Sequence, residues 1–444
     1  MKHAKKLMVT VMAIVLVALM FGACGNSPPA DGGGASSGDG GSSSSSGSTP
    51  AASGDKVELI FYSYCTLQEW VDEQLIPFYD EHPNIHVTVE QIMEPEQYNA
   101  TQKTHFLNGT ADLHTLRQEM INEFCEAGYL LDLSGEEFIG RFDKAYFELV
   151  TFGDAIYALP GDLHTYGCWY NKTMFDENGW AVPNSWDEYV ALCETIRDSG
   201  VVTAPFITFG LENWAMETDV APFLHKMLVE DPQVFRKLDS GEVKYTDPGW
   251  MEAWEGVANW NASGFTNPDI LSLSREDASR IFCVDQDAAM VVQGNWMSAL
   301  YTEYEPQFEM GAMPMFFPGA NSLSDMVVPI TIADFTGIAE SSPNRAEALL
   351  VLDYLHSLEG ARARMELAGA ITCAPARDPA TAMNPYTYLW LPNFDYPFVN
   401  FFWSEQAPAA NVVMTKNLQE MFLGMMTPQQ MAESMQAEQD KIVG

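Results

Sequence analysis

The chain has 444 residues, of which 61 are acidic and 22 are Lys or Arg, so its formal net charge is −39. Hydrophobic residues make up 47% and aromatic residues 12%, which is enough for a large packed core and argues against global disorder. So few cations cannot neutralise phosphates, which argues against a nucleic-acid partner, and the length suggests two or three domains.

The N-terminus carries the pattern of a secretory signal. Three lysines lie within the first six residues, and an apolar run, Leu7–Phe21, follows them. This pattern predicts a signal peptide over residues 1–23. The segment that ends it, Phe-Gly-Ala-Cys, resembles a bacterial lipobox with Phe21 where that motif prefers Leu, so Cys24 is the expected lipidation site. An ordinary signal peptide with an incidental cysteine is the alternative.

A low-complexity segment follows Cys24. Residues 25–55 contain nine Gly, ten Ser and three Pro, a composition that is typical of a flexible linker. We therefore predict that residues 24–55 are a lipidated cysteine and a tether, and that the protein is extracytoplasmic and lipid-anchored to the outer face of the bacterial cell membrane. Membrane contact is expected through the lipid alone, since no later segment has 18 consecutive apolar residues.

Six further cysteines are widely spaced along the rest of the chain. They are Cys65, Cys125, Cys168, Cys193, Cys283 and Cys373. They form no Cys-x-x-Cys or Cys/His metal pattern. Export permits disulfides, but these spacings show no compact framework, so bridges and free buried thiols both remain open.

Beyond the tether, strand and helix patterns alternate. A β-rich run over Val57–Tyr62 is followed by a helical pattern over Leu67–Tyr79 and a second strand pattern over Ile85–Val89. This βαβ order predicts an open sheet with flanking helices. A helix is expected next over Tyr98–Asn108, and a strand over Thr110–Leu113.

Helix caps mark the later elements. Ser185 and Glu188 form a capping-box pattern before a helix that Gly200 ends, and Thr427 and Gln430 form another before the terminal helix. The other predicted elements are a helix over Thr246–Trp260, a strand over Ala288–Val292, a helix from Ser342-Pro343 through Leu355 and another from Ser357. No linker divides this body, which predicts an α/β architecture of two lobes that exchange segments.

Catalytic and metal-binding signatures are absent from the sequence. There is no Gly-x-Ser-x-Gly, phosphate-binding loop or His-Glu-x-x-His pattern. Asp285 and Asp287 offer too few alternating carboxylates for a calcium loop and are expected in a solvated turn. We therefore predict no catalytic residue, metal or cofactor, although the carboxylate pair of a glycosidase has no universal motif.

Several of the eleven tryptophans stand in polar, turn-like contexts. Trp214, Trp296 and Trp403 each have Asn, Gly or Ser among their neighbours. An indole face suits the apolar side of a sugar ring, while Asp, Glu and Asn bind its hydroxyls. The three are therefore candidate ring platforms in a cleft, and a place in the core is the alternative for each.

Four segments together resemble one protein family. Gly153–Pro160, Tyr166–Lys172 and Ser185–Glu188 follow the order of its motifs, and Phe282–Trp296 resembles its Phe…Gly-x-Ala-Ala-Met-x-x-x-Gly-x-Trp segment, with Asp287 in place of the usual Gly. That family is the extracellular solute-binding proteins of ABC importers, family 1, the maltose-binding-protein-like carbohydrate group. The resemblance extends over the whole body of the chain.

The resemblance implies a two-lobed periplasmic-binding-protein-like α/β fold of type II, in which discontinuous lobes are joined by a hinge and close over a ligand. On this chain it implies crossings near Pro160 and near Pro329. The implied first lobe comprises residues 56–161 plus 330–385, and the second lobe residues 162–329 plus 386–444.

The resemblance also implies a cleft lined by polar residues of the first lobe and aromatic residues of the second. Trp296 matches best because its Gly-x-Trp motif is intact, whereas Cys65 stands where some relatives place a charged contact. Glu119 and Asp162 are ordinary solvated acids in the alternative interpretation. The implied ligand-binding residues are Tyr62, Ser63, Tyr64, Arg117, Glu119, Asp162, His164, Trp214, Trp296 and Trp403.

The implied function is that of a substrate-binding lipoprotein of an ABC importer, and not of an enzyme. It would capture a mono- or oligosaccharide in an interlobe cleft and deliver it to the transmembrane permease subunits. The same fold binding a polyamine or another cationic solute is the first alternative, suggested by the net charge of −39 and the many aromatics. A secreted glycoside hydrolase is the second. Scarce Lys and Arg disfavour an anionic ligand, although Arg117 would serve one.

Overall fold

The computed structural model describes residues 55–64, 66–92, 95–374 and 384–443. The predicted signal peptide, the Cys24 lipidation site, the tether up to residue 54 and Cys65 lie outside the described residues. The described residues belong to one compact unit. Within these ranges, no helix combines the length and the apolar character needed to cross a membrane.

Most of the strands are short, and they fall into two main sheets and one small hairpin. In the described ranges they are β1 Val57–Ser63, β2 Ile85–Gln91, β3 Leu113–Leu116, β4 Thr151–Phe152, β5 Ala155–Ile156, β6 Leu159–Pro160, β7 Leu163–Asn171, β8 Ala204–Phe206, β9 Ala288–Gly294, β10 Met310–Pro314, β11 Val328–Ile332, β12 Phe335–Ile338 and β13 Phe398–Val399.

Helices connect and cover these sheets. The α-helices of the described residues are α1 Gln68–Gln74, α2 Ile76–Glu81, α3 Pro95–Asn108, α4 Gln118–Glu126, α5 Lys172–Asn178, α6 Trp186–Ser199, α7 Met216–Glu230, α8 Val234–Asp239, α9 Pro248–Ala262, α10 Arg275–Arg280, α11 Ser298–Tyr304, α12 Arg345–Leu355, α13 Leu358–Ala368, α14 Phe402–Glu405, α15 Pro408–Phe422 and α16 Pro428–Val443. The mixture of both element types along the whole body confirms the predicted α/β class.

The first sheet has the strand order β2-β1-β3-β12-β6. β1 pairs in parallel with β2 and β3, whereas β12 pairs antiparallel with β3 and β6. Leu59 and Phe61 of β1, Val87 of β2 and Leu113 of β3 are buried in its core. The predicted βαβ start is confirmed. This sheet and the elements packed on it form the first lobe.

The second sheet has the order β13-β11-β7-β9-β8, and β10 also pairs with β7. β7, at nine residues, is its central strand and is buried along nearly its whole length. A Cβ on Gly167 would lie 2.5 Å from the carbonyl oxygen of Met313 in β10, so only glycine lets β10 approach this closely. This sheet and the elements packed on it form the second lobe.

The chain passes between the sheets at two adjacent points. Gly161 and Asp162 connect β6 to β7, while Ala333 and Asp334 connect β11 to β12. The Gly161 N–H donates to the Asp334 carbonyl oxygen at 3.0 Å, and the Ala333 N–H donates to that of Asp162 at 2.8 Å. The two crossings are therefore hydrogen-bonded to each other, and we name them the paired crossings.

Proline divides the first predicted helix in two. The pattern over Leu67–Tyr79 predicts one helix, but the structure has α1 and α2, separated at Leu75. Pro77 lies in the first turn of α2, and because it has no N–H it cannot make the helical i→i−4 hydrogen bond to the Glu73 carbonyl oxygen, which accepts from the Leu75 N–H instead. The continuous helix prediction is therefore wrong at this point, although both pieces are helical.

A buried carboxylate shifts two other predicted boundaries. The Asp112 carboxylate accepts a hydrogen bond from the Ile60 N–H of β1 at 2.9 Å, a bond that a backbone carbonyl would otherwise accept in the β1–β3 pairing. β3 therefore begins only at the next residue, Leu113. Ser342, the expected cap of α12, donates instead to Asp112 at 2.6 Å, and Asn344 takes the cap position. The Thr427–Gln430 capping box is confirmed.

Candidate functional site

The first two predicted residues of the β1 end lie inside the first lobe. Tyr62 and Ser63 are both 0% exposed. The Tyr62 ring stacks on that of Tyr98 with centroids 4.6 Å apart, and its hydroxyl donates to the Tyr98 carbonyl oxygen. Ser63 Oγ lies 3.1 Å from Thr115 Oγ1. Burial raises the pKa of Tyr62 to about 12. Both hydroxyls are thus used within the protein.

Tyr64 and Arg117 are partly exposed and lie together. The Arg117 guanidinium is 4.6 Å from the centroid of the Tyr64 ring, which is a cation–π contact. The next residue, Gln118, donates to Thr331 Oγ1 of β11 at 2.8 Å, so this pair lies beside a direct contact between the lobes. Glu119 is part of α4, but its side chain lies outside the described residues.

Asp162 lies at the paired crossings, where an ion pair with Arg364 compensates its charge. Its carboxylate accepts hydrogen bonds from Nε and Nη2 of Arg364, at 3.2 and 2.9 Å. The neighbouring Asp334 is buried, and that burial together with the charge of Asp162 raises the pKa of the Asp334 carboxyl above its ordinary value. These three side chains line a cavity of about 50 Å³. One guanidinium therefore faces two carboxyl groups.

Three predicted residues of the second lobe come together around a tyrosine. Trp403 stacks on the Tyr166 ring with centroids 5.0 Å apart and planes 24° apart. The Trp296 centroid lies 5.2 Å from that of His164 and 6.5 Å from that of Tyr166. Phe401 lies edge-on to Tyr166 and Trp403, at 4.8 and 4.7 Å. These five residues are named the aromatic cluster.

Three elements supply the aromatic cluster. His164 and Tyr166 lie two apart on β7, so their side chains share one face of the sheet. Trp296 follows β9, which pairs with β7 such that Gly294 is opposite Tyr166. Phe401 and Trp403 belong to the start of α14. A strand pair and one short helix therefore bring together residues that are far apart in the chain.

The aromatic cluster offers uncharged ring faces at neutral pH. His164, Trp296 and Trp403 are partly exposed, and they rest on the buried rings of Tyr166 and Phe401. Burial lowers the pKa of His164 to about 4, so its imidazole is neutral at pH 7. Burial also raises the pKa of Tyr166 well above its ordinary value. The aromatic cluster therefore presents ring faces and carries no charge of its own at neutral pH.

The Gly-x-Trp motif has a steric basis. A Cβ on Gly294 would lie 2.1 Å from Cζ3 of Trp296 and 2.2 Å from its Cε3, so the indole lies directly against the glycine backbone. The residue between them, Asn295, accepts a hydrogen bond from the Thr165 N–H and donates to the Leu163 carbonyl oxygen. Those bonds fix the turn after β9 onto β7, and the turn fixes the ring.

Trp214 lies apart from the aromatic cluster. It belongs to the 3₁₀ turn before α7 and is partly exposed. Its ring contact is an edge-on one with Phe209, at 5.6 Å. Trp214 and Trp296 both pack against the same hydrophobic core cluster. The structure therefore places Trp214 in the second lobe without joining it to the other predicted rings.

Two members of the aromatic cluster are missing from the sequence prediction. Tyr166 stands two residues after His164 in a strand, and that alternation is the signal that predicts a shared face. Phe401 stands two residues before Trp403 in a run of aromatics. No sequence pattern distinguishes it there from a core phenylalanine.

The described residues contain no group of three or more His, Cys, Asp or Glu side chains placed to hold a metal ion. Asp285 and Asp287 are both exposed, but Asp285 is the last residue of a π-helix, Ile281–Asp285, and only Asp287 lies in the connection to β9. A cavity of about 160 Å³ lies beside them. Asp287 accepts hydrogen bonds from the Thr203 N–H and hydroxyl. The described cysteines are all buried, and four of them are free thiols: Cys125, Cys168, Cys193 and Cys283.

Two α/β lobes, joined by adjacent crossings and carrying a partly exposed aromatic cluster, define a two-lobed solute-binding protein. Solved structures share this fold. A chitin oligosaccharide binding protein superposes with a TM-score of 0.76 at 18% identity, and RafE in complex with raffinose with a TM-score of 0.75 at 20% identity. Each alignment covers 88% of this chain and 100% of the solved chain. The predicted two-lobed fold is confirmed.

Sequence comparison gives the family. Residues 74–387 match the family model of the bacterial extracellular solute-binding proteins. A multiple sugar-binding protein of Streptococcus mutans is 21% identical over 381 residues, which cover 82% of this chain and 87% of that protein. The chain belongs to the bacterial extracellular solute-binding protein family, as its resemblance predicts. Membership places the protein outside the cytoplasm and confirms that it is not an enzyme.

Proposed function

We propose that this protein is the substrate-binding lipoprotein of an ABC importer and that it captures a mono- or oligosaccharide between its lobes. The aromatic cluster carries the proposal. Its partly exposed rings, Trp296 and Trp403, are uncharged platforms of the kind that stack on the C–H face of a pyranose. Relatives and structural neighbours whose names include sugars support the same class of solute.

The proposed cleft lies between a first lobe of residues 56–161 plus 330–385 and a second lobe of residues 162–329 plus 386–444, with one correction at the second crossing. Because β11 pairs with β7 through Ile332, residues 330–332 belong to the second lobe and that crossing lies at Ala333 and Asp334 rather than near Pro329. The paired crossings supply the hinge. On closure, Tyr64 and Arg117 would face the aromatic cluster and donate hydrogen bonds to sugar hydroxyls, with Glu119 and Trp214 as further contacts at the margin. Tyr62, Ser63 and Asp162 would support the site from within, since their polar groups already bond to protein atoms.

A cationic solute such as a polyamine has less support. Aromatic faces attract cations, but an ammonium group also gains from a nearby carboxylate, and the acid predicted nearest the crossings, Asp162, is already paired with Arg364. The lowered pKa of His164 means that its imidazole does not repel a cation at pH 7. The net charge of −39 therefore belongs to the protein as a whole rather than to this site.

Anchoring and delivery complete the proposal. Lipidation at Cys24, followed by the Gly- and Ser-rich tether, would hold the receptor at the outer face of the cell membrane. The receptor would then deliver the sugar to the transmembrane permease subunits. We expect Cys24→Ala to move the protein from the membrane fraction to the soluble fraction of expressing cells, and unchanged fractionation contradicts lipidation.

A ligand screen tests the sugar assignment. Raffinose, maltose, galactose and diacetylchitobiose are each added in a thermal-denaturation assay beside putrescine and spermidine, because a ligand that binds the native state raises the midpoint. We expect at least one sugar and neither amine to do so. A shift with an amine alone favours the polyamine alternative and contradicts the proposal.

Calorimetric titration of the best sugar then tests the aromatic cluster. We expect Trp296→Ala to weaken binding by about 2 kcal/mol, roughly 30-fold, since a buried aromatic contact contributes that much. Trp180→Ala is the matched control, because Trp180 is also partly buried in the second lobe but packs on Phe175. Equal affinities of the two variants contradict the assignment of Trp296.

A further inference from the structure

A chain of hydrogen bonds ends on the indole of Trp296. The Trp296 Nε1–H donates to Gln293 Oε1 at 3.2 Å. Gln293 Nε2 donates to Thr218 Oγ1 at 3.1 Å, and the Thr218 hydroxyl donates to the Ala215 carbonyl oxygen at 2.7 Å. Gln293 and Thr218 are each 1% exposed and Ala215 is 0% exposed. The chain is therefore internal and links β9 to the first turn of α7.

The direction of these bonds is fixed. The Thr218 hydroxyl gives its one proton to Ala215, so its oxygen accepts from Gln293. The Gln293 amide must then turn its NH₂ group toward Thr218 and its oxygen toward Trp296. An indole N–H is a donor only, which matches this orientation. The indole is thus held along its edge by Gln293, while one of its faces lies against Gly294.

We propose that Gln293 is a positioning residue for solute recognition: it holds Trp296 by its single N–H, so that the ring offers its open face and no hydrogen-bond donor. The inference rests on the proposed function and deepens it. The group that the Trp296 subsite takes is then a ring with an apolar C–H face, as in a pyranose, and not a hydrogen-bond acceptor.

The positioning role is tested without any solute. In protein labelled with ¹⁵N at tryptophan, the Trp296 indole N–H resonance is assigned by its loss in Trp296→Phe. We expect that resonance to exchange slowly with solvent in the wild type and, in Gln293→Leu, to move upfield and exchange faster. Gln439→Leu is the matched control, since Gln439 is also 1% exposed and donates to the Leu238 carbonyl oxygen. An unmoved resonance in Gln293→Leu overturns the positioning role.

Titration with raffinose and maltose tests the consequence. In the wild-type background, where Trp296 is present, we expect Gln293→Leu to weaken sugar binding on the order of tenfold, since one lost hydrogen bond accounts for such a factor. In the Trp296→Phe background, where residue 296 has no N–H to hold, we expect Gln293→Leu to have no effect. Equal losses in both backgrounds mean a general structural role and overturn the inference. If the wild type binds none of the screened sugars, the proposed function and the proposed class of solute are contradicted. The Trp296 indole resonance in Gln293→Leu still tests the positioning role in that case.

Discussion

At the scale of single residues, Gly294 sets the geometry of the aromatic cluster, because it has no side chain where the Trp296 ring lies. Because the indole of Trp296 lies where a Cβ of residue 294 would be, we expect Gly294→Ala to displace the ring and to weaken sugar binding at least tenfold. Calorimetric titration of the screened sugar measures the loss, and the emission maximum of tryptophan fluorescence reports the moved ring.

The control for this substitution is Gly140→Ala. Gly140 has nothing within 4 Å of a built Cβ, so added volume there meets open space. We expect this variant to bind sugar like the wild type. A Gly294→Ala protein with wild-type affinity and emission contradicts the steric account of the Gly-x-Trp motif.

The sequence predicted which residue types contribute to the site better than it predicted which of their side chains are free of contacts within the protein. The Gly-x-Trp motif is a local signal for Trp296, but His164, Trp296 and Trp403 meet because β9 pairs with β7 and α14 packs beside them. Tyr62 is different, because the ring that stacks on it belongs to Tyr98 in α3. Asp162 is paired with a residue 202 positions later. No local pattern reveals such long-range partners.

At the scale of elements, α13 holds the paired crossings through one side chain. The Arg364–Asp162 ion pair is buried, with side chains 15% and 10% exposed, and Arg364 also lies over the Trp70 ring. We expect Arg364→Gln to lower the free energy of unfolding by about 3 kcal/mol, because it leaves buried carboxyl groups without a cation. Urea denaturation followed by circular dichroism measures this change.

A matched arginine separates burial from charge. Arg345 pairs with Glu340, but these side chains are 45% and 46% exposed. We expect Arg345→Gln to change the unfolding free energy by less than about 1 kcal/mol, since water screens exposed pairs. Similar losses in both variants contradict the role of Arg364 at the crossings.

Element boundaries followed from the sequence where caps and breakers are local. Ser185 caps α6 and Gly200 ends it in the left-handed conformation, as the pattern predicts. The start of β3 depends instead on Asp112, whose carboxylate bonds to Ile60 and Ser342. A tertiary contact of this kind overrides strand propensity, so β3 begins three residues later than predicted.

At the scale of the whole molecule, the alternation of strands and helices predicts the α/β class but not the strand order. β12 lies between β3 and β6 in the first sheet, although about 180 to 220 residues separate it from them in the chain. The absence of a linker and the resemblance to a family with discontinuous lobes both predict an exchange of segments, but neither gives this strand order. The physical reason is that pairing between distant strands depends on packing that local periodicity does not encode.

Small-angle X-ray scattering tests whether a sugar is captured between the two lobes. The wild type and Trp296→Ala are measured with and without the sugar that most raises the denaturation midpoint. We expect the sugar to lower the radius of gyration of the wild type by hinge closure and to leave that of Trp296→Ala unchanged at the same concentration. A sugar that saturates the wild type without changing its radius of gyration would contradict capture between the lobes.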